Sequence, residues 1–383
     1  MSGLRFVTAG ESHGPCLTAI LEGIPAGLRL DKERIDHDLA RRQQGYGRGG
    51  RMKIETDKAQ FLSGVRFGET IGDPITICVE NRDWKNWGGR MAAFGEPEGD
   101  KVTAARPGHA DLTGAMKYAR KDIRDILERS SARETAARVA AGGVAKELLR
   151  ALGIEVMSAV TNIGGIAADE TFVSPEAICP NDSELNCPDP DAEERMKARI
   201  RAAKEAGDTL GGIFRVVVKH APIGLGSHIQ WDKRLDSRLA GAMMSIQAIK
   251  GVEIGAGFHY ADIPGSEAHD EIYMEDGRPL RHTNRAGGLE GGMTNGSDIV
   301  VTAVMKPIPT LMKPLHSIDI ETKEAVLASK ERSDVCAVSA ASVVGEAMCA
   351  LVVADAILEK FGTDNMKDLI AAIDVYKARL EDF

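Results

Sequence analysis

Two histidines in this sequence stand where proton transfer could be carried out. His13 lies in Gly10-Glu-Ser-His-Gly14, between glycines and shortly after the apolar pair Phe6-Val7. His109 lies in Arg106-Pro-Gly-His-Ala-Asp111, with an arginine and an aspartate close by in sequence. An imidazole titrates near pH ~6.5, so it can give or take a proton at neutral pH. His13, His109 and Asp111 could also be drawn as metal ligands. No His or Cys spacing typical of a metal site accompanies them, however, and the nearby arginines repel a cation, so no metal is expected. A histidine in a loop can equally be an ordinary surface or packed residue, and the chain has nine of them.

The arginines are the second chemical signal. The segment Arg41-Arg-Gln-Gln-Gly-Tyr-Gly-Arg-Gly-Gly-Arg-Met-Lys53 carries Arg41, Arg42, Arg48, Arg51 and Lys53 and no acid, in a chain of net charge −9. Guanidinium forks bind carboxylate and phosphate in pairs, and glycines let backbone N–H groups approach the same anion. Like charges this crowded repel unless an anion sits among them. A solvated basic loop, or a Gly/Arg segment for RNA, are the alternatives; the latter is usually repeated and disordered. Further basic or polar stretches are Arg129-Ser-Ser-Ala-Arg-Glu-Thr135, Lys306-Pro-Ile-Pro-Thr310 and Glu331-Arg-Ser-Asp334. Ser131 and Glu134 have the spacing of a capping box, which would restart a helix at Ala132 and aim its N-terminus at an anion. An unbroken helix over 112–150 is the competing reading.

These residues need a scaffold, and the periodicity describes one. Short runs rich in β-branched residues predict strands at 75–79, 213–218 and 298–304. Helical patterns cover 112–152, 192–206, 232–250, 322–361 and 365–380, with the long C-terminal one apolar over much of its surface. The acidic stretch 179–193 reads as a surface loop, and the Gly-rich stretch 264–296 is too long for a simple connection. Without clean β-α-β alternation, one integrated α+β domain over 1–383 is preferred to a doubly wound sheet, with helices covering the sheets.

Composition bounds the function. Of 383 residues, 43% are hydrophobic and 27% charged, as in a folded globular protein. With 57 acids against 48 bases, a uniformly basic nucleic-acid surface is excluded. Nine Phe, five Tyr and three Trp are too few for base-stacking platforms. The 41 glycines exceed the usual share of ~7% and are assigned to loops closing around a ligand. Six cysteines form no C-x-x-C pair and read as reduced cytosolic thiols. The N-terminus lacks a signal-peptide core, and no apolar run approaches the ~18 residues of a membrane helix, so a soluble cytoplasmic protein without membrane or nucleic-acid partners is expected. The residues alone point to an enzyme for a small, multiply anionic ligand.

The motifs then resemble one family. Gly10-Glu-Ser-His-Gly14, Gly47-Arg-Gly-Gly-Arg-Met-Lys-Ile-Glu55, Arg106-Pro-Gly-His-Ala-Asp111, Arg129-Ser-Ser-Ala-Arg-Glu-Thr135, Gly291-Gly-Met-Thr-Asn-Gly296, Lys306-Pro-Ile-Pro-Thr310 and Arg332-Ser-Asp334 resemble the signature stretches of chorismate synthases, in that family's order. The resemblance implies a lyase that converts 5-enolpyruvylshikimate 3-phosphate to chorismate and phosphate, the last step of the shikimate pathway, with reduced FMN. It implies a β-α-β sandwich and a homotetramer, in some members served by a separate flavin reductase. By resemblance, Arg42, Arg48, Arg51, Arg106 and Arg133 hold the substrate anions; Arg42 and Arg48 are also positions assigned to NADP. FMN would contact Arg129, Ser130, Ser131, Gln247, Ala248, Gly291, Lys306, Pro307, Ile308, Pro309, Thr310 and Arg332. His13 would protonate the leaving phosphate, His109 would bond the reduced flavin, and Asp334 would help it accept the substrate hydrogen.

Overall fold

Alternation of buried and outward residues builds two antiparallel sheets. The computed structural model describes residues 3–49, 54–96, 98–275, 277–331, 333–362 and 364–382. The first sheet runs Arg5–Ala9, Cys16–Glu22, Ile75–Glu80 and Gln60–Phe61 in that order across it. Leu17, Ala19 and Leu21 of one strand and Ile75, Ile77 and Val79 of the next point inward. The intervening residues face outward, as in a sheet covered on one side. The second sheet orders Ile249–Ile254, Ile299–Met305, Gly212–Lys219, Glu155–Ile163 and Ile166–Ala167, again antiparallel throughout. The three predicted strands are all present, in these two sheets.

Between the sheets lie helices Lys32–Gln43, Thr135–Ala151 and Val338–Phe361. Thr135–Ala151 packs on the first sheet, Val338–Phe361 on the second, and the two helices on each other, which makes the β-α-β sandwich. Their approach is close: a Cβ on Gly142 would stand 2.4 Å from Ala347 Cβ. Part of the glycine surplus therefore serves helix packing rather than ligand loops. Val338–Phe361 has the length and hydropathy to cross a bilayer, but 89% of its apolar window is buried in the fold, so it is a core helix. It also carries a charged centre. Glu346 accepts from both Nη atoms of Arg41 (2.8 Å each), from Lys146 Nζ (2.8 Å) and from Ser158 Oγ (2.6 Å), and Lys146 reaches Asp38 as well. Burial raises the Glu346 carboxyl, yet Arg41 and Lys146 outweigh it and hold it well below the usual range.

Three helical expectations change, at 112–152, 232–250 and 322–361; the second is only Leu235–Met244, and its end becomes the strand Ile249–Ile254. The pattern over 112–152 is three helices, Asp111–Tyr118, Arg124–Ser130 and Thr135–Ala151. Ala119 in the left-handed region (φ 53°) stops the first, and extended Ser131 stops the second. The chain does restart at Ala132, as a 3₁₀ turn, but the capping box is not made. Ser131 Oγ accepts from Arg133 N, and the Glu134 carboxylate is engaged by Thr8, Arg138 and Gln247. Over 322–361, the helix begins only at Val338; Ala325–Leu327 pairs with His316–Ile318 as a hairpin. The 264–296 stretch folds into two more hairpins, at 272–281 and 289–294.

Candidate active site

The functional loops leave the sandwich at the ends of its elements. The turn at 10–15 joins the first two strands, and Gly10 makes it possible: at φ 105°, a Cβ there would lie 2.4 Å from Cys16 O. His13 is presented from this turn. Its backbone N donates to Glu128 Oε2 at 2.7 Å, and its Nδ1 faces the same carboxylate at 2.9 and 3.1 Å. Ser12 N donates to Glu128 O and Ser12 Oγ to Ser131 Oγ, so the turn is docked on the end of helix Arg124–Ser130. Trp87 packs on the imidazole with ring centroids 4.0 Å apart, and Arg124 lies over Trp87 at 5.1 Å. Arg124 also bridges Glu128 (3.2 Å) to Glu331 (3.1 Å).

The second histidine has the same support. His109 Nδ1 meets Asp111 Oδ1 at 2.5 Å, and Arg106 closes the group through Nε to Asp111 Oδ2 (2.8 Å) and Nη1 to Thr310 Oγ1 (3.0 Å). A carboxylate only accepts, so each histidine donates from Nδ1, and Nε2 is the ring nitrogen that the carboxylate does not engage. Burial raises the Asp111 and Glu128 carboxyls, but the histidine and arginine donors outweigh it and hold both ionised.

The arginine loop is differently arranged from its sequence. Arg41 points into the Glu346 cluster, and Arg42, one residue on, turns the other way to Asp57 (Nη2–Oδ2 2.6 Å). Asp57 is shared with Arg133, whose Nη1 reaches both oxygens at 2.7 and 2.6 Å while its Nε donates to Asn81 Oδ1. Arg48 pairs with Asp334 at 2.9 Å, and Gly49 N donates to Asp334 at 2.5 Å. The proposed repulsion within this segment is thus met by acids from elsewhere in the chain, not by a bound anion alone. Burial lowers Arg42, against the pull of Asp57 and helped by Arg133 and Arg48, to about 10, which keeps it charged at neutral pH. Arg51 and Arg332 lie outside the described residues.

The remaining predicted ligands are linked by contacts that run from the turn of the first histidine to the second. Arg129 donates to Thr8 O, Thr8 Oγ1 and Gly10 O, and Ser130 Oγ to Ile126 O. Gln247 Nε2 donates to Glu134 Oε2 at 3.0 Å, and Ala248, at φ 68°, accepts from Lys306 N through its carbonyl. Lys306 Nζ donates to Gly108 O, and Thr209 Oγ1 holds Ile308 O, so the run containing Pro307 and Pro309 spans from Gln247 to His109. Gly291 is the exception. It turns the 289–294 hairpin beside His228, and no hydrogen bond among the described residues ties it to the 306–310 run. Asp57, Trp87, Arg124 and Glu128 were missed by sequence reading, and Glu134 was read only as half of a capping box. Glu128 directly precedes the Arg129 motif, but nothing local distinguishes it from a solvated acid. Among the described residues, no cluster has the make-up of a metal site.

The family profile described as Chorismate synthase matches residues 4–358. The chain belongs to the chorismate synthase family. It is 57% identical over 392 residues to the chorismate synthase of Geobacter metallireducens, covering 99% of this chain and 100% of the relative. It is 56% identical to that of Aquifex aeolicus, covering 99% of this chain and 97% of the relative. A crystal structure of chorismate synthase superposes with a TM-score of 0.80 at 46% identity, over 99% of both chains. Chorismate synthases are carbon–oxygen lyases that convert 5-enolpyruvylshikimate 3-phosphate to chorismate and phosphate with reduced FMN. The donor set fits that cofactor. Gln247 Oε1 is buried without a partner, and cationic Arg129 and Lys306 belong to the loops linked to it through Glu134 and Ala248.

Proposed function

We propose that in this chain the elimination is carried out at the loops gathered around His13 and His109. What supports the reading is that both histidines are backed by an ionised carboxylate bonded to an arginine, among the loops that carry the other matching motifs. Arg42, Arg48, Arg51 and Arg133 form the positive shell for the substrate's two carboxylates and phosphate. Arg106 adds its charge while its donors hold Asp111 and Thr310. His13, bonded to Glu128 through Nδ1, gives the Nε2 proton to the departing phosphate oxygen as the C–O bond breaks. Arg129, Ser130, Ser131, Gln247, Ala248, Gly291, the run 306–310 and Arg332 would hold FMN. When bound, reduced FMN supplies the electron density that lets the C–O and C–H bonds break without net redox change. His109 would hydrogen-bond the reduced flavin through Nε2, and Asp334, fixed by Gly49 N and Arg48, would help the flavin accept the substrate hydrogen.

The same reading takes 1–383 as one domain around a continuous apolar core, in a cytoplasmic homotetramer. Exposed apolar side chains such as Phe258, Ile272 and Met274, at 76%, 63% and 71%, support assembly. The test is anaerobic turnover with reduced FMN, run with and without NADPH to read any flavin reduction by the chain itself. His13→Ala and His109→Ala should each lower kcat by roughly 10²–10⁴. Near-full kcat in both would remove the proton-transfer roles.

A further inference from the structure

We propose that Glu128 is a positioning residue for phosphate departure: it holds the His13 proton at Nδ1, so that Nε2 is the nitrogen that carries the exchangeable proton, and it stabilises the charged imidazole. The inference rests on the role proposed for His13. Three bonds aim the carboxylate, from His13 N at 2.7 Å and from Nδ1 at 2.9 and 3.1 Å, so backbone and ring are held by one group. Glu128 is 2% exposed, which keeps water from competing for its oxygens. Trp87 stacks at 4.0 Å on the ring and fixes its plane. Among the described residues, the charges around His13 are Glu128, Arg124 and Arg129 from helix Arg124–Ser130, Glu331 beyond Arg124, Arg90 over Trp87, and Glu11 at its own turn.

In the step itself, the C–O bond breaks with its electron pair going to phosphate oxygen, that oxygen takes the Nε2 proton, and the pair of the C–H bond broken in the same elimination makes the new C=C. Imidazolium becomes the neutral Nδ1–H tautomer, and Glu128 stays ionised throughout. Arg124 shares Glu128 with His13 and prevents the carboxylate from taking the Nδ1 proton.

The test is a cycle of Glu128→Gln, His13→Ala and the double variant, assayed anaerobically with reduced FMN, with thermal melting alongside. Glu128→Gln should lower kcat about 10–100-fold with little change in KM, and should move the alkaline limb of the kcat–pH profile to lower pH. Glu128→Asp should recover part of the loss. In the His13→Ala background, Glu128→Gln should cost nothing more. An equal loss there, or an unmoved pH profile, would overturn the role of Glu128 while leaving that of His13 intact. Full kcat in His13→Ala would overturn both. Imidazole ¹⁵N NMR of the wild-type protein, assigned with His13→Gln, checks the tautomer independently of how Glu128→Gln folds. A neutral Nδ1–H signal is expected, and an Nε2–H signal contradicts the inference.

Discussion

Asp57→Asn isolates the electrostatic argument from the catalytic one. Asp57 is 4% exposed and is the acid shared by Arg42 and Arg133, at 2.6 Å from each. Removing its charge leaves two buried guanidiniums facing one another, and breaking a buried ion pair from one side costs about 3–5 kcal/mol. Unfolding entropy of about 2.1 cal/mol/K per residue amounts to about 0.8 kcal/mol/K for this 383-residue chain, so Tm should fall by about 4–6 °C. Burial raises the Asp57 carboxyl, but Arg42 and Arg133 overcome this and hold it below its ordinary value. A depressed carboxyl stabilises the fold above its unfolded pKa of ~3.9 and stops doing so as pH falls through the folded value. The Tm gap between wild type and variant should therefore be full at neutral pH and close in acid. Phosphate should narrow it at pH 7, because an added anion takes the place of the lost carboxylate. Equal melting at pH 7, or a gap that phosphate leaves unchanged, would refute the shared-acid account.

Other substitutions probe separate parts of the structure. Arg129→Ala should weaken FMN binding about tenfold, the worth of one charge-assisted bond, with a small fall in Tm because its bonds to Thr8 and Gly10 are lost too; flavin fluorescence titration reads the binding. Gly142→Ala forces a methyl to 2.4 Å from Ala347 Cβ and should destabilise by about 1–3 kcal/mol, measured by thermal or denaturant unfolding. Glu346→Gln takes the shared carboxylate from half-buried Arg41 and buried Lys146, leaving them only Asp38, and should lower stability by about 3 kcal/mol at neutral pH. Because the Glu346 carboxyl is held low, that loss should shrink in acid unfolding curves as wild-type Glu346 itself becomes protonated.

The strands and the basic loops were legible because β-branched runs and arginine spacing are local signals. The partners were not. Glu128 is 115 residues from His13 and Glu346 is 305 from Arg41, and no short-range pattern distinguishes these acids from solvated ones. Arg41 and Arg42 read as one patch, yet neighbours on a helix point about 100° apart, which sends one into the core cluster and the other to Asp57. Helix boundaries failed at Ala119, where a left-handed alanine ends a helix that composition would continue. The family motifs, in order along the chain, carried more of the function than any single spacing.

The most direct test is a crystal structure with oxidised FMN and 5-enolpyruvylshikimate 3-phosphate. The account predicts the substrate phosphate within hydrogen-bond distance of His13, and the flavin between Gln247, the 306–310 run and His109. A flavin or substrate seated in the cleft lined by Arg34, Arg41, Lys146 and Glu346 on the other side of helix Lys32–Gln43 would contradict it.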